Sequence, residues 1–185
     1  MKVLLYSLLF FSLPLFAQTK TAIDIKLYND ANAFYQVYNS GDVNVLTSEA
    51  DINAVRNSTD DEYCLKRAFE NFKKIVEEYP YSEYYLTSLY YVGHFEFGEL
   101  KLAESKKHLL EVIESDQSNG YYIRQAFLDL ADIAIEEKDY ILAQKYIANI
   151  ENSTPTRFWC GVARNQDEHR VKFIKERLAT GLIRK

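Results

Sequence analysis

Glycine and proline are scarce in this chain of 185 residues, with six of one and three of the other. Few breakers exclude a turn-dense, β-rich fold and leave room for long helices. Only two cysteines occur, Cys64 and Cys160, and they form no CxxC pair. A redox dithiol or a zinc pair is therefore not expected; two buried thiols or one disulfide both fit. The three histidines, His94, His108 and His169, lie outside any HExxH pattern. There is no Gly-rich phosphate loop and no GxSxG elbow. Asp60-Asp61-Glu62 lacks the alternating ligands and glycine of a calcium loop and suits a helix start instead. A basic excess is missing too. Lys plus Arg is 22 and Asp plus Glu is 27, a formal charge of −5, which excludes the basic face of a general nucleic-acid binder.

What the chain has is apolar and aromatic bulk. Hydrophobic residues make up 48 % and aromatics 15 %, enough to bury a core and too much for wholesale disorder. Lys2 precedes an apolar run over 3–16, then Ala17 and the polar Gln18-Thr19-Lys20. That order is the one a secretory signal peptide has, and the run is shorter than the roughly 20 residues a spanning helix needs. Expected consequences are cleavage after Ala17 (1–17 removed), no integral span afterwards, and export of the Gram-negative type, to the periplasm or beyond. No cysteine follows the run, so no lipid attachment site is expected.

The remaining pattern is helical. Ile25, Leu27, Tyr28, Ala31, Phe34, Tyr35 and Tyr38 recur at helical spacing, predicting a helix over 24–39. Residues 42–61 are polar and read as a long loop or a short broken helix. Helices follow over 63–79, 83–97, 100–114, 121–137 and 140–151. An irregular stretch over 156–164 comes after Pro155. Asn165 with Glu168 forms a capping-box pattern, opening a last helix to about 180, with Gly181 as its stop. Arg170, Lys172, Lys175 and Arg177 suit the solvated face of that helix.

Successive helix pairs prompt a search for repeats. Residues 124–157 hold Phe127, Leu130, Ala131, Ala134, then Asp139-Tyr140, Ala143, Ile147, Ile150 and Pro155. In order and spacing these residues resemble the tetratricopeptide repeat, a helix-turn-helix of about 34 residues. A second copy over 84–116 has Tyr90-Tyr91, His94, Gly98-Glu99-Leu100 and Ala103, and departs from the pattern at Lys107. Half of a third copy is Ala68, Phe72, Ile75 and Pro80. The resemblance covers 63–157. It implies an all-α fold, a short right-handed α-α solenoid of such repeats with a C-terminal capping helix. The expected organisation is an N-terminal helix and polar loop over 18–62, repeats over 63–157, and a connecting segment and cap over 158–185. A Trp in that connection, Trp159, would lock the cap or form a contact site.

The family's concave surface binds proteins or peptides, so the resemblance implies a groove. Its expected lining is Tyr85, Ser88, Leu89, Val92, Phe95 and Glu96 from one repeat. Gln125, Leu128, Asp129, Asp132, Ile135 and Glu136 come from the next. Such a surface, aromatic on one side and acidic on the other, suits a basic and apolar partner segment. Leu89, Phe95 and Leu128 would equally serve as plain core. The leading expectation is thus an exported, non-catalytic interaction module with no cofactor. Two narrower forms are an immunity protein against an envelope-directed toxin and an accessory of outer-membrane assembly. The alternative from another class is a hydrolase using Asp129, Asp132 or Glu136, which share one helix face.

Overall fold

A computed structural model describes residues 4–60, 62–115, 120–152 and 161–183, with side chains from 22 to 181 except at the gaps and at 161–163. The described residues are all-helical: α1 (Leu4–Ser40), a 3-10 turn (Val43–Val45), α2 (Glu49–Asn57), α3 (Tyr63–Glu78), α4 (Tyr85–Gly98), α5 (Leu102–Glu114), α6 (Gly120–Glu136), α7 (Tyr140–Asn152) and α8 (Gly161–Ile183). No strand occurs among them, and no helix is long and apolar enough to cross a membrane. The helix expected over 24–39 begins earlier, running unbroken from Leu4 through the segment read as a signal peptide. The polar stretch after it is the 3-10 turn and α2, a broken helix with no buried residue in either piece. Ser48 opens α2 by accepting a hydrogen bond from the Asp51 amide, an N-cap that satisfies one orphan donor.

The chain divides into two compact units, Met1–Ser88 and Leu89–Lys185. In the first, α1 packs against α3. Ala31 and Phe34 of α1 and Ala68, Phe72 and Ile75 of α3 are almost wholly buried, each large side chain contributing about 1.5–3 kcal/mol through burial. Aromatic rings complete the joint. Tyr28 stacks on Tyr84 at 4.1 Å and meets Phe72 edge-on at 6.1 Å. The Arg67 guanidinium lies 5.6 Å over the Phe34 ring. Cys64 is a buried free thiol whose pKa burial raises. Cys160 and Trp159 lie outside the described residues.

The second unit is built on two hairpins of the same design. In α4–α5, a Cβ on Gly93 would sit 3.0 Å from Leu109 Cγ, so the helices cross at hydrogen-for-methyl distance. Ser105 Oγ donates to Gly93 O at 2.7 Å and pins the crossing. In α6–α7, the small residues at the places matching Gly93 and Ser105 are Ala131 and Ala143, both fully buried. The turns match bond for bond. Leu100 and Lys138 both take a left-handed conformation, φ 60° and 62°. After each, an amide reaches back over the helix end: Lys101 to Glu96 O at 2.9 Å, Asp139 to Ala134 O at 2.8 Å. This is a Schellman closure.

That correspondence aligns the two hairpins two residues away from the spacing expected from Ala103. Ala103, taken as the partner of Ala143, is exposed, as is Lys107. Ser105, Leu109 and Val112 are fully buried, like Ala143, Ile147 and Ile150 and like Ala68, Phe72 and Ile75. By burial, Ser105 rather than Ala103 holds the place in α5 that Ala143 holds in α7. The physical reason is that the crossing needs a small residue opposite Gly93, and Ser105 supplies both the size and a donor.

The ends of α8 also differ from expectation. It begins at Gly161, so residues 161–164 are helical and Asn165 lies inside it. Gly181 lies inside as well and serves close packing: a Cβ there would fall 2.7 Å from Tyr140 Cζ. Gly181→Ala is expected to cost about 1–3 kcal/mol through overpacking. Gly120→Ala, where a Cβ meets nothing within 4 Å, should be neutral or slightly stabilising; urea denaturation compares the two. Leu100 is 75 % exposed and holds a conformation only glycine takes freely. Leu100→Gly should therefore raise stability by about 1 kcal/mol, read as a higher denaturation midpoint.

Candidate functional site

The sequence presents Gln125, Asp129, Asp132 and Glu136 at helical spacing, so they share one stripe of α6. The structure brings α8 against that stripe. Arg124 grips both oxygens of Asp167, Nε donating to Oδ1 and Oδ2 at 2.9 Å each and Nη2 to Oδ2 at 2.7 Å. Gln125 Nε2 donates to Asp167 Oδ1 at 2.9 Å. Further along, the Arg170 guanidinium donates to Asp129 and, at 3.2 Å, to Asp132. Arg177 donates to Asp132 at 2.5 Å and to Glu136 at 2.6 Å. From α4, His94 Nδ1 lies 3.0 Å from the other Asp129 oxygen. A carboxylate only accepts, so His94 donates through Nδ1.

The two central carboxyls differ in electrostatic state. Burial pushes the Asp129 carboxyl upward, but His94 and Arg170 more than offset it, and its pKa lies below the ordinary value. Burial also acts on Asp132; there Arg170 and Arg177 offset it only in part, and the pKa is raised. The charges of Asp129 and Asp132 hold Arg170 protonated against its own burial. Tyr90, fully enclosed beside Asp129, has its pKa pushed well up by burial and then by that charge.

Of the twelve residues expected to line a groove, ten are buried. Gln125, Leu128, Asp129, Asp132 and Ile135 are closed in, and only Glu136 of that set is exposed. The acidic half is thus not an open anionic surface. Arg170 and Arg177, expected on a solvated face, turn inward and neutralise it, whereas Lys172 and Lys175 remain exposed. On α4 the two-residue register shift matters. Leu89 and Val92 are 1 % and 2 % exposed because they flank Gly93 at the helix crossing. Phe95 is buried, and Glu96 is buried with His108 Nδ1 at 2.7 Å. Tyr85 is half-buried; Ser88 is buried with no hydrogen-bond partner for its hydroxyl. The α4 residues equivalent to Leu128, Asp129, Asp132 and Ile135 are Tyr90, Tyr91, His94 and Phe97. Tyr91, His94 and Phe97 are half-exposed; the first two stand in the second copy of the sequence pattern, and none of the three was in the expected groove lining. Aligning on Gly93 rather than Ala103 would have found them.

Among the described residues no group of three or more His, Cys, Asp and Glu side chains converges as a metal site. Compared with family models, curated proteins and solved structures, the chain matches none.

Asp129 supplies a pH test. Its depressed pKa means that the stabilisation is present above the ordinary carboxylate range, about 3.9, and is lost as pH falls through the depressed value. Asp129→Asn, which leaves the half-buried Arg170 with Asp132 alone, should cost about 2–3 kcal/mol at pH 7. The gap to the parent should narrow below about pH 4. Asp132 carries the opposite sign, its burial disfavouring the charge, so Asp132→Asn should cost less. Urea midpoints across pH 3–8 check both.

Proposed function

We propose that this chain is an exported, non-catalytic interaction module of tetratricopeptide-like hairpins that binds a protein or peptide partner. The observation that carries the reading is the identity of the two hairpins in the second unit. They share the small-residue crossing, the left-handed turn residue and the buried triad. The α3 triad Ala68, Phe72 and Ile75 repeats the burial pattern, which supports counting α1–α3 as a third hairpin interrupted by α2. Repeats of this kind present their first helices as a recognition surface.

The register shift and the arginine seam refine the partner. Tyr91, His94 and Phe97 are the half-exposed groups on α4 at recognition positions. Aromatic side chains there give a large contact area at low entropic cost. Because Asp129, Asp132 and Glu136 already have cationic partners, the partner's contribution is chiefly apolar. The signal-like segment before Gln18 supports export. The carboxylates of the alternative hydrolase are each held by an arginine, an arrangement that favours a structural role over proton transfer.

The test is affinity capture with mature 18–185 from cell extract and secreted fraction, identified by mass spectrometry, beside Tyr91→Ala/Phe97→Ala. One dominant partner that the double variant loses by at least tenfold is expected. A partner retained equally by the variant would overturn the α4 surface. The partner's identity separates toxin neutralisation from envelope assembly.

A further inference from the structure

Phe173 of α8 is 59 % exposed. It stands between Arg170 and Arg177 at helical spacing, so the three share one side of the helix. That side is turned to α6, because Arg170 pairs with Asp129 and Asp132, and Arg177 with Asp132 and Glu136. Phe173 therefore borders the seam between α8 and α6. Its ring is also braced. The Arg177 guanidinium lies 5.9 Å from the ring centroid, a cation–π contact, and two carboxylates hold that guanidinium. A ring already held in place loses little freedom when something covers it.

α4 borders α6 as well. Its Tyr91 and Phe97 are half-exposed. Between these aromatic edges the charges are paired. Asp129 has both oxygens taken, Oδ2 by His94 of α4 and Oδ1 by Arg170 of α8. Asp132 and Glu136 are held by Arg170 and Arg177. One polar atom is left over. His94 donates to Asp129 through Nδ1, and its Nε2 makes no hydrogen bond among the described residues. The side chain is 33 % exposed. With the ring proton on Nδ1, Nε2 is an acceptor.

We propose that Phe173 is a second anchor, opposite Tyr91 and Phe97, on a surface that takes an uncharged, extended segment of a partner protein across α4, α6 and α8. The proposal rests on the α4 surface proposed above and adds its other edge. Three features select this occupant. Paired charges in the middle favour neither sign, and a charge laid over them would lose water without gaining a partner. The aromatic edges ask for one large apolar side chain at each end. The His94 acceptor asks for a backbone N–H, which an extended chain has free and a helix uses internally. The spacing follows from the packing. Packed helices lie about 8–10 Å apart, so α4 and α8, both against α6, are at most roughly 16–20 Å apart. A chain rising about 3.4 Å per residue covers that span in about six residues, and an even number keeps both side chains on one face.

The probe is a random dodecapeptide library displayed on phage and panned on the full chain. The most enriched sequence is then synthesised with a fluorescein label and titrated by anisotropy. Enriched sequences should carry large apolar residues at i and i+6 with no charge between them. Phe173→Ala should weaken the labelled peptide at least tenfold and remove the selection at one of the two apolar positions. Tyr91→Ala/Phe97→Ala should remove the selection at the other. Phe173→Leu should restore most of the affinity, and Ile141→Ala, which removes an exposed apolar side chain of α7, should change nothing. His94→Asn keeps a donor for Asp129 and lacks the outward nitrogen, so it should weaken binding at least threefold. Peptides lost by the Tyr91→Ala/Phe97→Ala variant but kept by Phe173→Ala would overturn the second anchor and leave the α4 surface standing. Enrichment at helical spacing, of charged sequences, or of none would overturn the extended occupant, while the capture experiment above still reads the α4 surface by itself.

Discussion

The structure depends on how closely two helices can approach within a hairpin. At Gly93 a methyl group would press on Leu109, 3.0 Å away, and at the corresponding places in α6–α7 the small residues Ala131 and Ala143 are fully buried. Close approach brings the larger residues on either side into contact, so Leu109 and Val112, or Ile147 and Ile150, are sealed from water. It also sets the turn. A short connection between closely packed antiparallel helices needs one left-handed residue, and both hairpins use a non-glycine there, Leu100 and Lys138. The strain of those residues persists because the packing on both sides over-determines the turn.

From the crossing follows the facing of everything else. With Gly93 and Ala131 fixed against their partner helices, Asp129 and Asp132 turn toward α4 and α8, where they meet His94 and Arg170. A carboxylate in that position cannot remain unpaired, because an isolated buried charge costs several kcal/mol. Arg170 and Arg177 meet that demand, and in doing so they draw α8 into place. The polar seam is thus a consequence of the hairpin geometry. It also explains why α8 shows little amphipathic character by hydropathy alone: two of its inward residues are arginines.

Much of the fold was legible before any coordinates. The helix series over 63–151 was, because apolar periodicity is set by the backbone's own repeat. So was the α6–α7 hairpin, whose small residues Ala131 and Ala143 are both fully buried. The α4–α5 register was not. Ala103 offers a small residue two positions before Ser105, and nothing local marks Gly93 as the residue that Ser105 meets. Nor was the fate of the acidic stripe visible. Asp129, Asp132 and Glu136 are separated from Arg170 and Arg177 by a whole helix and a connection, and nothing local says that the two stripes meet. Asn165 with Glu168 and Gly181 looked like helix signals because their residue types are favoured at ends, whereas Gly181 is needed for the Tyr140 ring.

The sequence by itself determined that this chain is helical, where most helices lie, and that small residues recur in them, because these properties follow from local periodicity and side-chain size. Only the tertiary structure decided which small residues touch, which face of α4 is left half-exposed, and that the arginines of α8 neutralise the carboxylates of α6. Those outcomes rest on contacts between distant segments, where one residue's charge or volume has meaning only against the neighbour that packing brings to it.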